Sequence, residues 1–160
     1  SDRGYRGEYR DLSGPVIHEL VTAHLAARVE LEAVVPDERD MIAGTLRVWA
    51  DEVRLDLVLT TGGTGFAPRD VTPEATGDVV ERAVPGLAEA MRAASLSVTP
   101  HAMLSRAIAG IRGHTLIVNL PGSPKAVREN LETILPALPH ALELLHGEKG
   151  SDRHPDEART

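Results

Sequence analysis

Thr60-Thr61-Gly62-Gly63-Thr64-Gly65 is the first place where this chain could do chemistry. Three glycines and the threonine hydroxyls leave backbone N–H groups free to face a ligand. The run closes residues 55–60, Leu-Asp-Leu-Val-Leu-Thr, which read as a buried parallel strand. A strand that stops in glycines at a sheet edge is the usual ligand position in an open α/β sheet. A phosphate, a carboxylate or a flat polar ring would suit it, and a plain tight turn is the bland alternative. The run is neither a Walker A loop, because no Gly-Lys-Ser/Thr follows, nor a GxGxxG fingerprint.

Three further groups of residues carry possible chemistry. In Pro68-Arg69-Asp70-Val71-Thr72-Pro73-Glu74, Arg69 could neutralise a phosphate and Asp70 could hold a metal. The same residues read equally as a helix entry, with Thr72 as cap and a proline in the first turn. In Pro121-Gly122-Ser123-Pro124-Lys125, the helix-start amides, the Ser123 hydroxyl and the Lys125 ammonium favour an anion. A simple strand-to-helix turn with an exposed lysine stands beside that reading. The last group is Asp11, Asp37 and Asp70, which follow strands or sit in strand-end loops. Converging carboxylates next to phosphate-binding loops imply hydrated Mg²⁺ and a nucleotide, although each aspartate alone reads as a helix cap. The histidines offer no ligand spacing: His18 and His24 share a helix six residues apart, and none is assigned to a metal.

These residues need elements to position them. Residues 1–12 read as loop. Ser13-Gly14-Pro15 opens a helix expected to reach about residue 28, with Val16, Ile17, Leu20, Val21 and Leu25 at helical spacing. Residues 31–35 are short and β-branched and read as a strand closed by Pro36. Ile42, Leu46, Trp49 and Val53 mark one face of the next helix. Helices are expected over 73–82, 87–95 and 100–111, then a strand over 114–119 that ends at the Pro121 loop. A helix follows to about 135 and another covers about 138–146. Strands alternating with helices predict a three-layer α/β sandwich with a mainly parallel sheet. Residues 1–146 form the domain, and the charged tail 147–160, poor in apolar residues, is expected to be disordered.

Composition narrows the classes. No cysteine is present, so disulfides, thiolate metal sites and cysteine nucleophiles are excluded. The net charge of -7, with no basic stripe, and aromatics at only 2% argue against nucleic acid as a partner. No apolar run approaches the roughly 20 residues of a membrane helix. The absence of cysteine and of a targeting segment points to a cytoplasmic protein.

Taken together, the motifs resemble a known family. Residues 60–76, TTGGTGFAPRDVTPEAT, resemble the signature of the molybdopterin-binding domain, and 119–127, NLPGSPKAV, its second loop. SDRG at 1–4, DLSGP at 11–15 and VPDE at 35–38 are similar to its remaining motifs. The resemblance covers nearly the whole chain, through about residue 146. It points to the molybdopterin adenylyltransferases and their bacterial relatives in molybdenum cofactor biosynthesis, a family that includes the G domain of gephyrin.

That resemblance implies an α/β sandwich assembled as a homotrimer, with Mg²⁺ and ATP as requirements and molybdopterin as substrate. The terminal phosphate of molybdopterin attacks the α-phosphorus of ATP, pyrophosphate leaves, and the adenylylated pterin passes to a molybdate-inserting partner protein. It implies functional roles for Asp11, Asp37 and Asp70, with Asp37 and Asp70 on Mg²⁺. It implies ligand contacts from Ser1, Asp2, Ser13, Thr61, Gly62, Gly63, Thr64, Gly65, Arg69, Pro121, Gly122, Ser123 and Lys125. Family members also carry an apolar strand ahead of SDRG, inside the sheet. That strand is missing before Ser1, and the native product is expected to have it. The alternatives are a non-catalytic pterin-binding module of the same fold and a nucleotide hydrolase of the competence-damage type. Retention of both Asp37 and Asp70 favours the enzyme over the first, and the PRDVTPEA and PGSPKA runs favour the molybdopterin branch over the second.

Overall fold

The computed structural model describes residues 2–7 and 10–147. In chain order its elements are α1 (Asp2–Tyr5), α2 (Ser13–His24), α3 (Arg39–Asp51), β1 (Leu57–Thr61), α4 (Thr72–Gly77), β2 (Arg82–Ala83) and α5 (Pro85–Leu96). A 3₁₀ turn (Pro100–Leu104), β3 (Ala109–Arg112), β4 (Thr115–Leu120) and α6 (Pro124–Ile134) follow. A 3₁₀ turn (Leu135–Ala137) leads into α7 (Leu138–His146).

The sheet runs β1-β4-β3-β2. It is mixed, not mainly parallel as expected: β1 pairs with β4 in parallel, and β4–β3 and β3–β2 are antiparallel. The reason is a hairpin. Gly113, at φ +55°, turns β3 back onto β4 within two residues, and so short a connection can only be antiparallel.

β4 is buried along its whole length and shows why helices cover both faces. Leu116, Val118 and Leu120 point into one cluster with Leu20, Met91, Leu131 and Leu138. Ile117, one residue out of step, enters the opposite cluster with Val58, Ile42, Leu46 and Val79. The period of two therefore divides the core into two halves around the sheet, and the three-layer arrangement follows.

Several expected boundaries move. Residues 31–35 carry no regular secondary structure and form no ladder with β1. Their β-branched composition fits a strand, but composition makes a strand only where a ladder partner lies alongside. The expected helix over 100–111 is a 3₁₀ turn followed by β3. Gly110 permits this: a Cβ there would lie 2.6 Å from Val80 Cγ1 and 3.0 Å from the Arg82 carbonyl, so the neighbouring chain packs where a side chain would stand. The first long helix stops at His24 rather than near 28, with Ala26 at positive φ just beyond. α4 ends at Gly77 rather than 82, and residues 2–5 are helical rather than loop. Beyond residue 147, the expected tail lies outside the described residues. Gly147 caps α7 in the left-handed conformation.

β1 is the edge of the sheet. On the side away from β4 it faces a slot of about 260 Å³, between the strand and residues 29–35, with Ile42, Leu46 and Trp49 on its wall. Among the described residues no helix is long and apolar enough to cross a membrane.

Candidate functional site

The sheet delivers two loops to one place. β1 and β4 run in parallel and in register, with Thr61 opposite Leu120, so the glycine loop and the 121–125 loop leave the sheet side by side. They are tied at once: Gly62 N–H donates to the Leu120 carbonyl at 3.1 Å, and the Thr61 hydroxyl to the Pro121 carbonyl at 2.7 Å. The Ser13 hydroxyl adds a bond to the Gly122 carbonyl at 2.7 Å. Gly62 and Gly122 then meet backbone to backbone, and a Cβ on Gly122 would stand 3.4 Å from Gly62 Cα.

Gly62 and Gly63 adopt φ +87° and +67°, so the chain turns in a conformation that L side chains rarely take. Among the described residues, the N–H groups of Gly63, Thr64, Gly65 and Gly122 have no acceptor. Unpartnered amides along one such turn form an anion-binding concavity.

Two carboxylates flank this loop. A Cβ on Gly63 would lie 3.7 Å from Asp37 Oδ1, and one on Gly65 would lie 2.9 Å from Asp70 Oδ2. Asp37 is fixed by reciprocal bonds with Asp2: Asp2 N–H donates to Asp37 Oδ2 and Asp37 N–H to Asp2 Oδ1, both at 2.8 Å. Arg69 donates to both Asp2 carboxylate oxygens. Its hydrogen bond is the main reason that the Asp2 carboxyl is pulled down to about 2. Asp70 Oδ2 accepts the Ala67 N–H at 2.9 Å, which closes the tight turn that presents it.

The remaining expected residues divide. Asp11 uses both oxygens on the start of α2, accepting from Ser13 N–H at 2.9 Å and Gly14 N–H at 3.2 Å. It is a helix cap in this structure and also lines the slot. Ser123 likewise caps α6, accepting the Ala126 N–H at 3.2 Å. Lys125 is largely exposed and faces Glu129 at 3.8 Å. Ser1 lies outside the described residues.

The joined loops stand between two cavities. Asp11, Ser13, Asp37, Thr61, Gly62 and Gly122 line the inner end of the slot beside β1. Thr64, Gly65 and Pro121 line a second cavity, also about 260 Å³, with Arg92, Ser95, Ser105 and Asn130 on its far wall. Neither cavity is lined by Arg69, Asp70, Ser123 or Lys125. Sequence reading missed the second cavity, because its residues come from α5, the turn after it and α6, with no local motif. It also missed Asn119, fully buried on β4, which donates to the Thr60 and Thr76 hydroxyls at 3.0 and 2.9 Å. A lone asparagine inside Leu-Ile-Val-Asn-Leu was the available signal.

Fold and site define an α/β domain in which two joined turns with unpartnered amides stand between two cavities. The comparisons are more specific. Residues 1–140 match the model of the probable molybdopterin binding domain, and the chain belongs to that family. It is 49% identical over 148 residues to the molybdopterin adenylyltransferase of Helicobacter pylori strain J99, covering 92% of this chain and 84% of that protein. It is 44% identical to the molybdopterin adenylyltransferase of Escherichia coli K12, covering 92% and 82%. Its structure matches the molybdopterin biosynthesis enzyme MoaB of Thermus thermophilus with a TM-score of 0.87, 55% identity and 92% coverage of both chains.

Proposed function

We propose that this protein is a molybdopterin adenylyltransferase of molybdenum cofactor biosynthesis. The terminal phosphate of molybdopterin attacks the α-phosphorus of ATP. A new phosphorus–oxygen bond forms, the bond to the β-phosphate breaks, and pyrophosphate carries the electron pair away. The observation that carries this reading is the glycine loop with unpartnered amides, standing between two cavities and flanked by Asp37 and Asp70. A reaction that joins two substrates through phosphate needs this layout: two ring sites and an anion cradle where they meet. Relatives bearing this activity, 44–49% identical over most of their length, support it.

In this reading the amides of Gly63, Thr64, Gly65 and Gly122 hold phosphate oxygens and offset the charge that gathers as two anions approach. Arg69 anchors Asp2 and, through it, Asp37. Lys125, largely exposed, would exchange its contact with Glu129 for one with a phosphate. Asp11 and Ser13 fix the start of α2 against the Gly122 turn. Ring-edge donors and acceptors of a pterin suit the cavity with Ser95, Ser105 and Asn130, whose Oδ1 has no partner among the described residues.

Mg²⁺ fits the donor set. Asp37 and Asp70 are hard oxygen ligands, and Mg²⁺ completes its shell with water and substrate phosphates rather than a protein cage. Among the described residues no cluster of three or more metal-ligating side chains is present. The ion would neutralise charge on the transferring phosphates. The same reading includes a homotrimer, a cytoplasmic location and delivery of the product to a molybdate-inserting protein. The exposed apolar residues of 96–104 support the trimer.

The test is pyrophosphate release from purified protein with molybdopterin and Mg-ATP, with the pterin product identified by mass. Adenylylated molybdopterin that requires Mg²⁺ is the expected result. Tight pterin binding without pyrophosphate would replace the enzyme with a pterin-binding module.

A further inference from the structure

Asp70 sits on an irregular loop, residues 64–71, whose own bonds are few: Asp70 N–H to the Ala67 carbonyl at 2.8 Å, and Ala67 N–H to the Asp70 carboxylate. Two side chains from outside the loop hold it to the body of the protein: Asp2, whose carboxylate accepts from the exposed Arg69, and Arg106, which reaches both ends of the loop. Arg106 follows the 3₁₀ turn and precedes β3. Its backbone N–H donates to the Thr64 carbonyl at 2.9 Å. Its Nε donates to the Gly65 carbonyl at 2.8 Å, Nη2 to the Asp70 carbonyl, and Nη1 to Glu74 Oε1 on the first turn of α4. One guanidinium thus binds both ends of the loop and the helix that follows.

Glu74 shows what the ion pair is for. Its Oε2 is buried and has no partner among the described residues, so Arg106 is the one side chain that fixes the carboxylate. A pair formed only to satisfy Glu74 would leave neither oxygen unmet. The carboxylate instead orients the guanidinium, whose other two nitrogens face loop carbonyls. The Arg106 hydrogen bond also holds the Glu74 carboxyl below its ordinary range.

We infer that Arg106 is a positioning residue for the reaction: it fixes the loop that presents the glycine amides and Asp70, and it touches no substrate itself. The inference rests on the adenylyl-transfer reading for its kinetic consequence, but not for its structural one. Only the planar fork of arginine reaches three acceptors in fixed directions, so lysine, a point charge, cannot replace it.

The experiment compares wild type, Arg106→Ala and Arg106→Lys in two measurements. The first is hydrogen exchange of the amides of residues 64–71, with no substrate present. Both variants are expected to exchange faster there while the β4 amides stay protected. Unchanged exchange across 64–71 overturns the inference. The second is pyrophosphate release. Arg106→Ala is expected to lose about 100-fold in kcat, the usual cost of an ångström-scale misplacement, with KM for ATP nearly unchanged. Added guanidinium ion at concentrations that leave wild type folded is expected to restore part of kcat in Arg106→Ala and none in wild type. Full activity of Arg106→Lys, or loss of β4 protection together with the loop, assigns Arg106 a charge or folding role and also overturns it. An inactive wild type sinks the adenylyl-transfer reading alone, because the exchange measurement still decides whether Arg106 fixes the loop.

Discussion

Asp37 and Asp70 occupy unlike settings, although both stand beside the glycine loop. Asp37 is held by a reciprocal pair of backbone bonds with Asp2, and Asp70 by its own turn and, through its carbonyl, by Arg106. Asp70 lines neither cavity and Asp37 lines only one end of the slot, so removing a carboxylate should largely spare ring binding and remove charge neutralisation at the transferring phosphate. Asp37→Ala and Asp70→Ala are each expected to lower kcat by at least about 100-fold with a much smaller change in KM, the pattern of an interaction made mainly in the transition state. Steady-state pyrophosphate release decides this, and a variant as active as wild type removes that residue from the mechanism. The Asp2–Arg69 pair makes a separate prediction. The folded carboxyl titrates at about 2 against an ordinary 3.8, so the contact contributes fully above 3.8 and is lost as pH falls from there toward 2. Carboxyl-carbon NMR should give Asp2 a midpoint near 2, and Arg69→Ala should return it toward 3.8. A wild-type midpoint already at 3.8 would mean that the pair does not persist in solution.

The strands carry the site to its place, and Asn119 is where they are locked. Its side chain joins the end of β1 to α4 through Thr60 and Thr76, and its Oδ1 accepts the Ile108 N–H at 3.2 Å. Asn119→Ala would leave the buried Thr76 hydroxyl, and the half-buried Thr60 hydroxyl and Ile108 N–H, without that partner, at about 1–3 kcal/mol for a buried group that finds no other. Urea unfolding should therefore show a loss of about 1–3 kcal/mol, and Asn119→Asp should do no better, because it buries a charge in the same place. A loss well under about 1 kcal/mol would show that water replaces the amide. The elements themselves were legible to unequal degrees. β1 and β4 were plain in the sequence because a continuous apolar run bounded by glycine or proline has few other uses. β3 was not: Ala-Gly-Ile-Arg follows an alanine-rich stretch and looks helical until Gly110 is seen against Val80 and the Arg82 carbonyl. The parallel sheet was inferred from alternation, and a two-residue hairpin turn overrode it. At the site, the motif residues 61–65 and 121–122 were readable because glycine and hydroxyl patterns are local. Arg106 and the second cavity were not, because their meaning lies in contacts between segments about 30–40 residues apart.

At the level of the whole molecule, residues 96–104 carry the exposed apolar face that the proposed trimer would use. Leu96, Val98, Met103 and Leu104 are 45–66% exposed, within one short stretch at the end of α5 and the 3₁₀ turn. Single exposed apolar residues are ordinary, but four in nine residues form the kind of patch that marks an association surface. Ala88 and Met91, on the α5 face opposite, are buried in the chain's own core, so only the outer face is open to another copy. The second cavity lies beside it, with Thr99, His101 and Leu104 on its rim. If this face joins three copies, sedimentation equilibrium will give three times the 17.1 kDa chain mass. A double substitution, Met103→Glu with Leu104→Glu, will then shift the protein to monomers, because charges do not enter a close apolar contact unpaired. Thermal unfolding adds a second readout. Wild-type Tm should rise with protein concentration, as it does for any assembly formed only by folded chains, and the double variant should lose that dependence. Because Leu104 also borders the cavity, the variant should bind pterin more weakly while ATP binding changes little. A wild-type chain that sediments as a monomer at every concentration would remove the trimer and leave this patch without its partner.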